Sequence, residues 1–190
     1  MRFILPLLVT FCLAAQAAEI RRVDVEHEGK RYYVDSDTIV DAPIESVYAV
    51  LTDYEHFDLI SSVFTESRFI EPVVDGSGLV YTRAQGCILF FCNTIERVER
   101  LEVRPVSDIV TVADPERSDV KYSRAHWQLE EDRQGTRVRY SLELEPDFWV
   151  PPVIGPWLIK RSLTRNGEEA VARIELLALE RASARVGVRP

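Results

Sequence analysis

The sequence predicts an α+β domain in which a curved, seven-stranded antiparallel sheet wraps around one long C-terminal helix. Three patterns support this fold class. Residues 43–62 have the pattern of two short helices, and residues 63–146 contain six β-rich segments separated by proline and glycine turns. A helical pattern then runs from Pro156 to about Arg181. Because a sheet with one dry face needs a cover, we expect this last helix to pack on it.

The first eighteen residues form an apolar leader that precedes the fold. Arg2 supplies a positive start to an almost wholly apolar run, and Ala17 and Ala18 are small residues of the kind that a signal peptidase accepts. The run is too short for a membrane-spanning helix. We therefore expect an exported, periplasmic protein cleaved after Ala17 or Ala18, with a domain over residues 19–182 and a tail over residues 183–190.

The charge of the chain is acidic. Its formal net charge is −8, and loss of the leader removes Arg2 and leaves −9. An acidic balance argues against general nucleic-acid binding. The sequence does not indicate an oligomeric state.

The strand pattern starts before the helices and resumes after them. The first strand is expected at residues 31–40, and Asp53 is a candidate cap between the two short helices. Six more strands are expected near residues 63–73, 78–87, 92–104, 106–113, 120–131 and 136–146. The C-terminal helix is expected to break at Asn166-Gly167.

The last two strands show which residues face inward. In "TRVRYSLELEP", Tyr140, Leu142 and Leu144 alternate with polar and charged residues, and Trp127 lies on the apolar side of the preceding strand. This alternation is typical of a sheet with one dry and one solvated face. We expect these four side chains to line a cavity between the sheet and the helix.

Two apolar loops are expected at one end of the molecule. Residues 145–157, "EPDFWVPPVIGPW", contain four of the ten prolines and two of the three tryptophans, and the turn at residues 87–92 reads "CILFFC". Counting the strands of the meander places both loops at the same end. The predicted rim consists of Phe148, Trp149 and Trp157 on one side and Ile88, Leu89, Phe90 and Phe91 on the other. The prolines Pro146, Pro151, Pro152 and Pro156 would keep the rim loop extended.

These loops allow two interpretations. They could frame the mouth of a hydrophobic cavity or a docking surface, or they could simply pack on each other and close the end of the core. Lys160, Arg161 and Arg165 follow Trp157 closely, and a tryptophan beside cations suits transient contact with an anionic lipid surface.

Cysteine placement favours a structural disulfide. Cys87 and Cys92 flank a four-residue turn and can lie opposite each other on a hairpin, in a compartment where disulfides persist. A redox-active pair is the alternative, although the sequence has no C-x-x-C motif. Cys12 in the leader follows Phe11, which is too large for the residue before a lipidated cysteine.

The sequence shows no catalytic constellation, no metal-ligand spacing and no cofactor motif. His27 lies in a polar stretch before the domain, His56 is expected near the surface, and His126 is expected to face water. Asp147 at the rim could act as a base, although a turn-capping role fits it better. Arg83 and Gln85 could reach a cavity from the second long strand, although a paired surface arginine is commoner.

At three segments the chain resembles a known superfamily. "VDAPIESVYAVLTDYEHF", the hairpin beginning "SSVFTESRFIE" and the helix with "ARIELLALE" are similar to START-like helix-grip (SRPBCC) proteins. The nearest groups are the polyketide cyclase/dehydrase proteins and the coenzyme-Q-binding START-domain proteins, over roughly residues 35–182. The resemblance implies a sheet gripping a helix around a cavity for lipids, isoprenoid quinones or polyketides. The leader and the cysteine-flanked turn predict an exported branch.

Three functions are therefore open. The first is periplasmic binding or transfer of a hydrophobic ligand such as a lipid or isoprenoid quinone, without a cofactor. The second is an enzyme of the polyketide cyclase or aromatase type, which needs polar groups inside the cavity and would be favoured by a buried carboxylate or a tyrosine pair there. The third is an envelope protein-interaction module, which a filled core would favour.

Overall fold

A computed structural model describes residues 19–88, 91–148 and 155–187. The strands and helices of the fold, in chain order, are β1 (Glu19–Glu28), β2 (Arg31–Val40), α1 (Ile44–Leu51), a 3-10 helix (Tyr54–Leu59), β3 (Phe64–Val74), β4 (Ser77–Ile88), β5 (Phe91–Arg104), β6 (Asp108–Ala113), β7 (Val120–Asp132), β8 (Gly135–Pro146) and α2 (Gly155–Gly187). A single 3-10 turn, Pro115–Arg117, joins β6 to β7. The α+β class, the two short helices and the long C-terminal helix are confirmed.

All described strands form one antiparallel sheet in the order β1-β2-β8-β7-β6-β5-β4-β3. The sheet has eight strands, so the predicted count of seven is wrong by one. The extra strand is β1, which contains His27 and was not predicted as a strand. β1 lies at the edge of the sheet with one face in water, so only Val23 and Val25 carry an apolar signal on its inner face.

α2 runs without interruption from Gly155 to Gly187. The break expected at Asn166-Gly167 is therefore wrong, and the helix extends beyond Arg181. Gly in a helix interior costs only about 1 kcal/mol relative to Ala, and packing of α2 along the sheet outweighs this cost. No helix in the described residues is both long and apolar enough to cross a membrane.

The hydrophobic core occupies one half of the space between the sheet and α2. α1, the 3-10 helix and the second half of α2 pack there through buried residues such as Val47, Leu51 and Ala178, against Leu101 and Ile109 of the sheet. A second, smaller cluster contains Val25, Val34, Ala125 and Leu142.

At the other end, opposite α1, the β6–β7 connection is held to β5 and to the end of β8. The Glu96 N–H donates to the Asp119 carboxylate at 2.9 Å, and the Asp119 N–H donates back to the Glu96 carbonyl at 2.9 Å. The Asp147 N–H donates to the Asp119 carbonyl at 3.2 Å. The expectation that these turns share one end of the sheet with the β4–β5 hairpin is confirmed.

Candidate functional site

A cavity of about 570 Å³ lies between the inner face of the sheet and the first half of α2. This volume falls in the range of roughly 300–1,000 Å³ that is typical of small-molecule sites. Gln85, Gly86 and Asn93 border it and are exposed, so the cavity opens to solvent beside the β4–β5 hairpin. Ile159 and Leu163 of α2 form the opposite wall.

Five of the predicted ligand-contacting residues line this cavity. They are Trp127, Tyr140, Leu142, Leu144 and Phe148. Trp127 and Tyr140 are directly opposite each other on β7 and β8, with ring centroids 4.0 Å apart. Their place in the cavity wall follows from strand alternation, while their contact with a ligand stays a prediction.

The rest of the predicted rim is only partly described. The Trp157 side chain is 61% exposed and does not line the cavity, because it lies on the outer side of α2. Trp149, Leu89 and Phe90 lie outside the described residues, as do the side chains of Ile88 and Phe91.

A polar cluster lies on the cavity floor and was missed by the sequence reasoning. Glu99 on β5 is 2% exposed, and its carboxylate accepts hydrogen bonds from the Thr82 hydroxyl at 3.4 Å and the Thr111 hydroxyl at 3.2 Å. Nη1 of Arg97 lies 3.6 Å from Oε1 of Glu99 and donates to the Ser123 hydroxyl at 3.4 Å. All of these residues except Ser123 border the cavity.

The cluster carries one positive and one negative charge, so it is electrically neutral as a unit. Among the described residues, Nε and Nη2 of Arg97 have no hydrogen-bond partner, and the Arg97 side chain is 15% exposed at the cavity. Its free N–H groups can therefore donate to a ligand oxygen, and the Glu99 carboxylate can accept from a ligand hydroxyl.

The signal for this cluster is present in the sequence of β5. In "TIERVERLEVR", Arg97 and Glu99 occupy the same face as Ile95, Leu101 and Val103. Charged residues are common along the strand, so these two resemble solvated positions until the apolar neighbours on their own face are taken into account.

Two tyrosines add hydroxyl groups near the cluster. Tyr54 and Tyr140 line the cavity, and burial raises the pKa of both phenols, while the charges of Glu99 and Arg97 act in opposite directions and matter less. Both stay protonated near neutral pH and can donate a hydrogen bond. Neither hydroxyl has a partner among the described residues.

The location of Gly167 explains why a glycine occurs in the middle of α2. It lines the cavity, and a Cβ added there would meet no atom within 4 Å. The absent side chain leaves room in the cavity, which gives this glycine a role other than ending a helix.

The remaining sequence candidates lie outside the cavity or at its edge. Asp147 is exposed and pairs with Lys121 at 3.4 Å. Arg83 pairs with Glu96 and Glu66 on the outer face, whereas Gln85 borders the cavity mouth.

The histidines also lie away from the cavity. His126 faces outward and lies 3.0 Å from Asp108, while His56 is exposed beside Asp53. Asp53 does not cap the 3-10 helix through its side chain, which pairs with Arg181 and His56 instead. Among the described residues, no cluster of His, Cys, Asp or Glu is placed to hold a metal ion.

Residues 40–168 match the family model "Polyketide cyclase / dehydrase and lipid transport". No curated protein sequence gives a significant match.

The fold is shared with several solved structures. A protein from Thermus thermophilus superposes with a TM-score of 0.64 at 17% identity, covering 78% of this chain and 97% of that one. A STAR-related lipid transfer protein from Xanthomonas axonopodis gives 0.63 at 14% identity, covering 82% and 98%. The Zhui aromatase/cyclase from a Streptomyces species gives 0.57 at 16% identity, covering 82% and 96%.

Proposed function

Because the chain belongs to the polyketide cyclase/dehydrase and lipid transport family, we propose that it binds one hydrophobic molecule in the cavity. The polar end of that molecule would contact Arg97 and Glu99, and its apolar body would lie against Trp127, Leu142 and Leu144. Apolar burial contributes about 25 cal/mol per Å² before the costs of association are subtracted.

The buried ion pair is the observation that carries this proposal. Glu99 is 2% exposed at a mostly apolar cavity, and apolar residues of similar volume would serve the fold as well or better. A charge pair with unused donors toward a cavity is therefore better explained by a ligand than by stability. The neutrality of the pair favours an uncharged polar group, such as a hydroxyl or carbonyl, over a carboxylate or phosphate.

Native mass spectrometry of the protein purified from cells tests this proposal. The wild type should carry a co-purifying apolar molecule that solvent extraction releases. Gly167→Leu should fold and carry little of it, because the added side chain projects into the cavity from a helix position with no steric clash. Gly167→Ala is the matched control, which adds only one methyl group and should retain the molecule. A wild type that stays empty after exposure to a total lipid extract would contradict the proposal.

An enzyme of the cyclase or aromatase type is the second candidate. A buried carboxylate and two cavity-facing tyrosines are the polar groups that such chemistry requires, and Glu99, Tyr54 and Tyr140 supply them. In an intramolecular aldol closure, Glu99 would take a proton from a carbon between two carbonyls, and that carbon would attack a third carbonyl. A tyrosine hydroxyl would donate to the oxygen that becomes the alcohol.

The two candidates differ in what happens to the bound molecule. For a binder, the extracted molecule has the same mass as the one supplied. For a cyclase, a poly-carbonyl substrate would be converted to a ring, with loss of water after closure, and Glu99→Gln would abolish conversion. The interaction module has weaker support, since the space that a filled core would occupy is open.

Export and the disulfide are part of the proposal. β1 begins at Glu19, so removal of residues 1–18 leaves every described strand and helix intact. Cys87 is directly opposite Cys92 in the β4–β5 register, a placement that suits a cross-strand disulfide. N-terminal sequencing of the periplasmic protein tests export. The mass of the protein, measured before and after reduction and alkylation, tests the disulfide. Cytoplasmic protein that retains residue 1 would contradict export, and two free thiols would contradict the disulfide.

A further inference from the structure

The first three turns of α2 have two different faces. Ile159, Leu163 and Asn166 point inward and line the cavity. Trp157, Lys160, Arg161 and Arg165 are exposed on the opposite side, as their spacing of three and four residues requires. This helix segment therefore forms one wall of the cavity and part of the outer surface at the cavity mouth.

The outer face is positively charged in an acidic protein. Residues 148–167 contain three cations and no Asp or Glu, while the chain as a whole has a formal charge of −8. Among the described residues, Lys160, Arg161 and Arg165 have no carboxylate within ion-pair distance. Further along the same helix, Arg173 and Arg181 are paired with Glu169 and Asp53.

An exposed tryptophan lies among these cations. The Trp157 side chain is 61% exposed, and the Arg161 guanidinium lies 5.9 Å from its ring centroid. An exposed indole ring beside unpaired cations suits contact with a lipid–water interface, because the ring can enter the headgroup region while the cations contact anionic lipids.

We propose that this outer face, consisting of Trp157, Lys160, Arg161 and Arg165, docks the protein on an anionic lipid bilayer. Docking would place the opening between α2 and the β4–β5 hairpin at the bilayer surface. An apolar ligand could then pass between membrane and cavity with little exposure to water. This last step rests on the proposed ligand binding, whereas the docking itself does not.

Glu168 is exposed on the outer face of α2 just beyond the cations, and two other acidic residues at this end are paired. Asp147 is paired with Lys121 at 3.4 Å, and Glu145 is paired with Arg31 at 3.2 Å. Both pairs belong to the sheet side of the mouth rather than to the outer face of α2.

Vesicle co-sedimentation tests the docking. Phosphatidylcholine vesicles with and without phosphatidylglycerol are compared, using wild type and variants prepared from the same compartment so that their N termini are identical. Three cations near an anionic surface should strengthen binding on the order of a hundredfold at low salt, and added salt should remove most of this gain. Lys160→Gln/Arg161→Gln/Arg165→Gln should lose the preference, and Trp157→Ala should weaken binding to both vesicle types.

A matched control separates local from total charge. Arg104→Gln/Arg133→Gln/Arg185→Gln changes net charge equally at exposed positions on the opposite end of the molecule and should keep the preference. Equal binding of the wild type to both vesicle types, or equal losses in the two triple variants, would overturn the docking proposal. Ligand occupancy of each variant, measured by native mass spectrometry, shows separately whether ligand binding survives.

Discussion

The Arg97–Glu99 pair predicts an asymmetric response to mutation. Glu99 is almost fully buried, with its side chain 3% exposed, while Arg97 is 15% exposed at the cavity. Arg97→Met therefore leaves a buried carboxylate without its cation, which costs about 3–5 kcal/mol. Glu99→Gln keeps an acceptor for the two threonine hydroxyls and leaves a cation that can reach cavity water, so we expect a loss of about 1–2 kcal/mol.

The double variant Arg97→Met/Glu99→Gln should be more stable than Arg97→Met alone. No charge is then buried, so its stability should lie within about 1 kcal/mol of wild type. The predicted coupling is thus about 3 kcal/mol or more. At the observed separation of 3.6 Å, the direct attraction in a medium of intermediate polarity is about 4–5 kcal/mol, large enough to supply this coupling.

Urea unfolding followed by circular dichroism measures these differences. With an m-value of about 2 kcal/mol/M, Arg97→Met should lower the midpoint by roughly 2 M, and the double variant should recover most of that loss. The same double variant should lose the ligand, which would separate the role of the pair in binding from its effect on stability. Additive losses in the two single variants would refute the reasoning, since uncoupled residues do not form a functional pair.

Three further predictions concern stability and ligand selection. Burial alone would raise the pKa of Asp53, but hydrogen bonds from Arg181 and His56 outweigh it and lower the pKa. This stabilisation is therefore present above about pH 5 and lost as the pH falls through the depressed folded-state value, so Asp53→Asn should cost about 1–2 kcal/mol at pH 7 and little at low pH in urea titrations. Leu101→Ala, in the closed core, should cost about 2–5 kcal/mol, whereas Leu144→Ala at the cavity wall should cost about 1 kcal/mol; similar losses would contradict the assignment of core and cavity. A long-chain alcohol should bind at least about tenfold more tightly than the carboxylate of equal length by calorimetry, because Glu99 already neutralises Arg97; tighter carboxylate binding would contradict this.

Strand alternation predicted the cavity wall well because it is a local signal. Tyr140, Leu142 and Leu144 alternate with polar and charged residues, and the period of two allows only one arrangement with a dry inner face. The same rule applied to β5 would have placed Arg97 and Glu99 inside. Charged residues carry no apolar signal of their own, so alternation alone does not distinguish these two from the solvated charges of the same strand.

Other features depend on tertiary contacts that the sequence does not display. β1 was missed because an edge strand buries one face and shows few apolar residues. Trp157 was expected at the rim, but its direction is set by which side of α2 meets the sheet. Gly167 suggested a helix end, but it lies within a continuous helix, where its missing side chain leaves room in the cavity.

A crystal structure of the protein loaded with its co-purifying molecule is the most direct test of the central claim. We expect the molecule between α2 and the sheet, with an uncharged oxygen within hydrogen-bond distance of Arg97 or Glu99 and its apolar part against Trp127 and Leu142. A molecule bound elsewhere, or one whose polar end points out of the mouth while Arg97 and Glu99 contact only each other and water, would contradict the account.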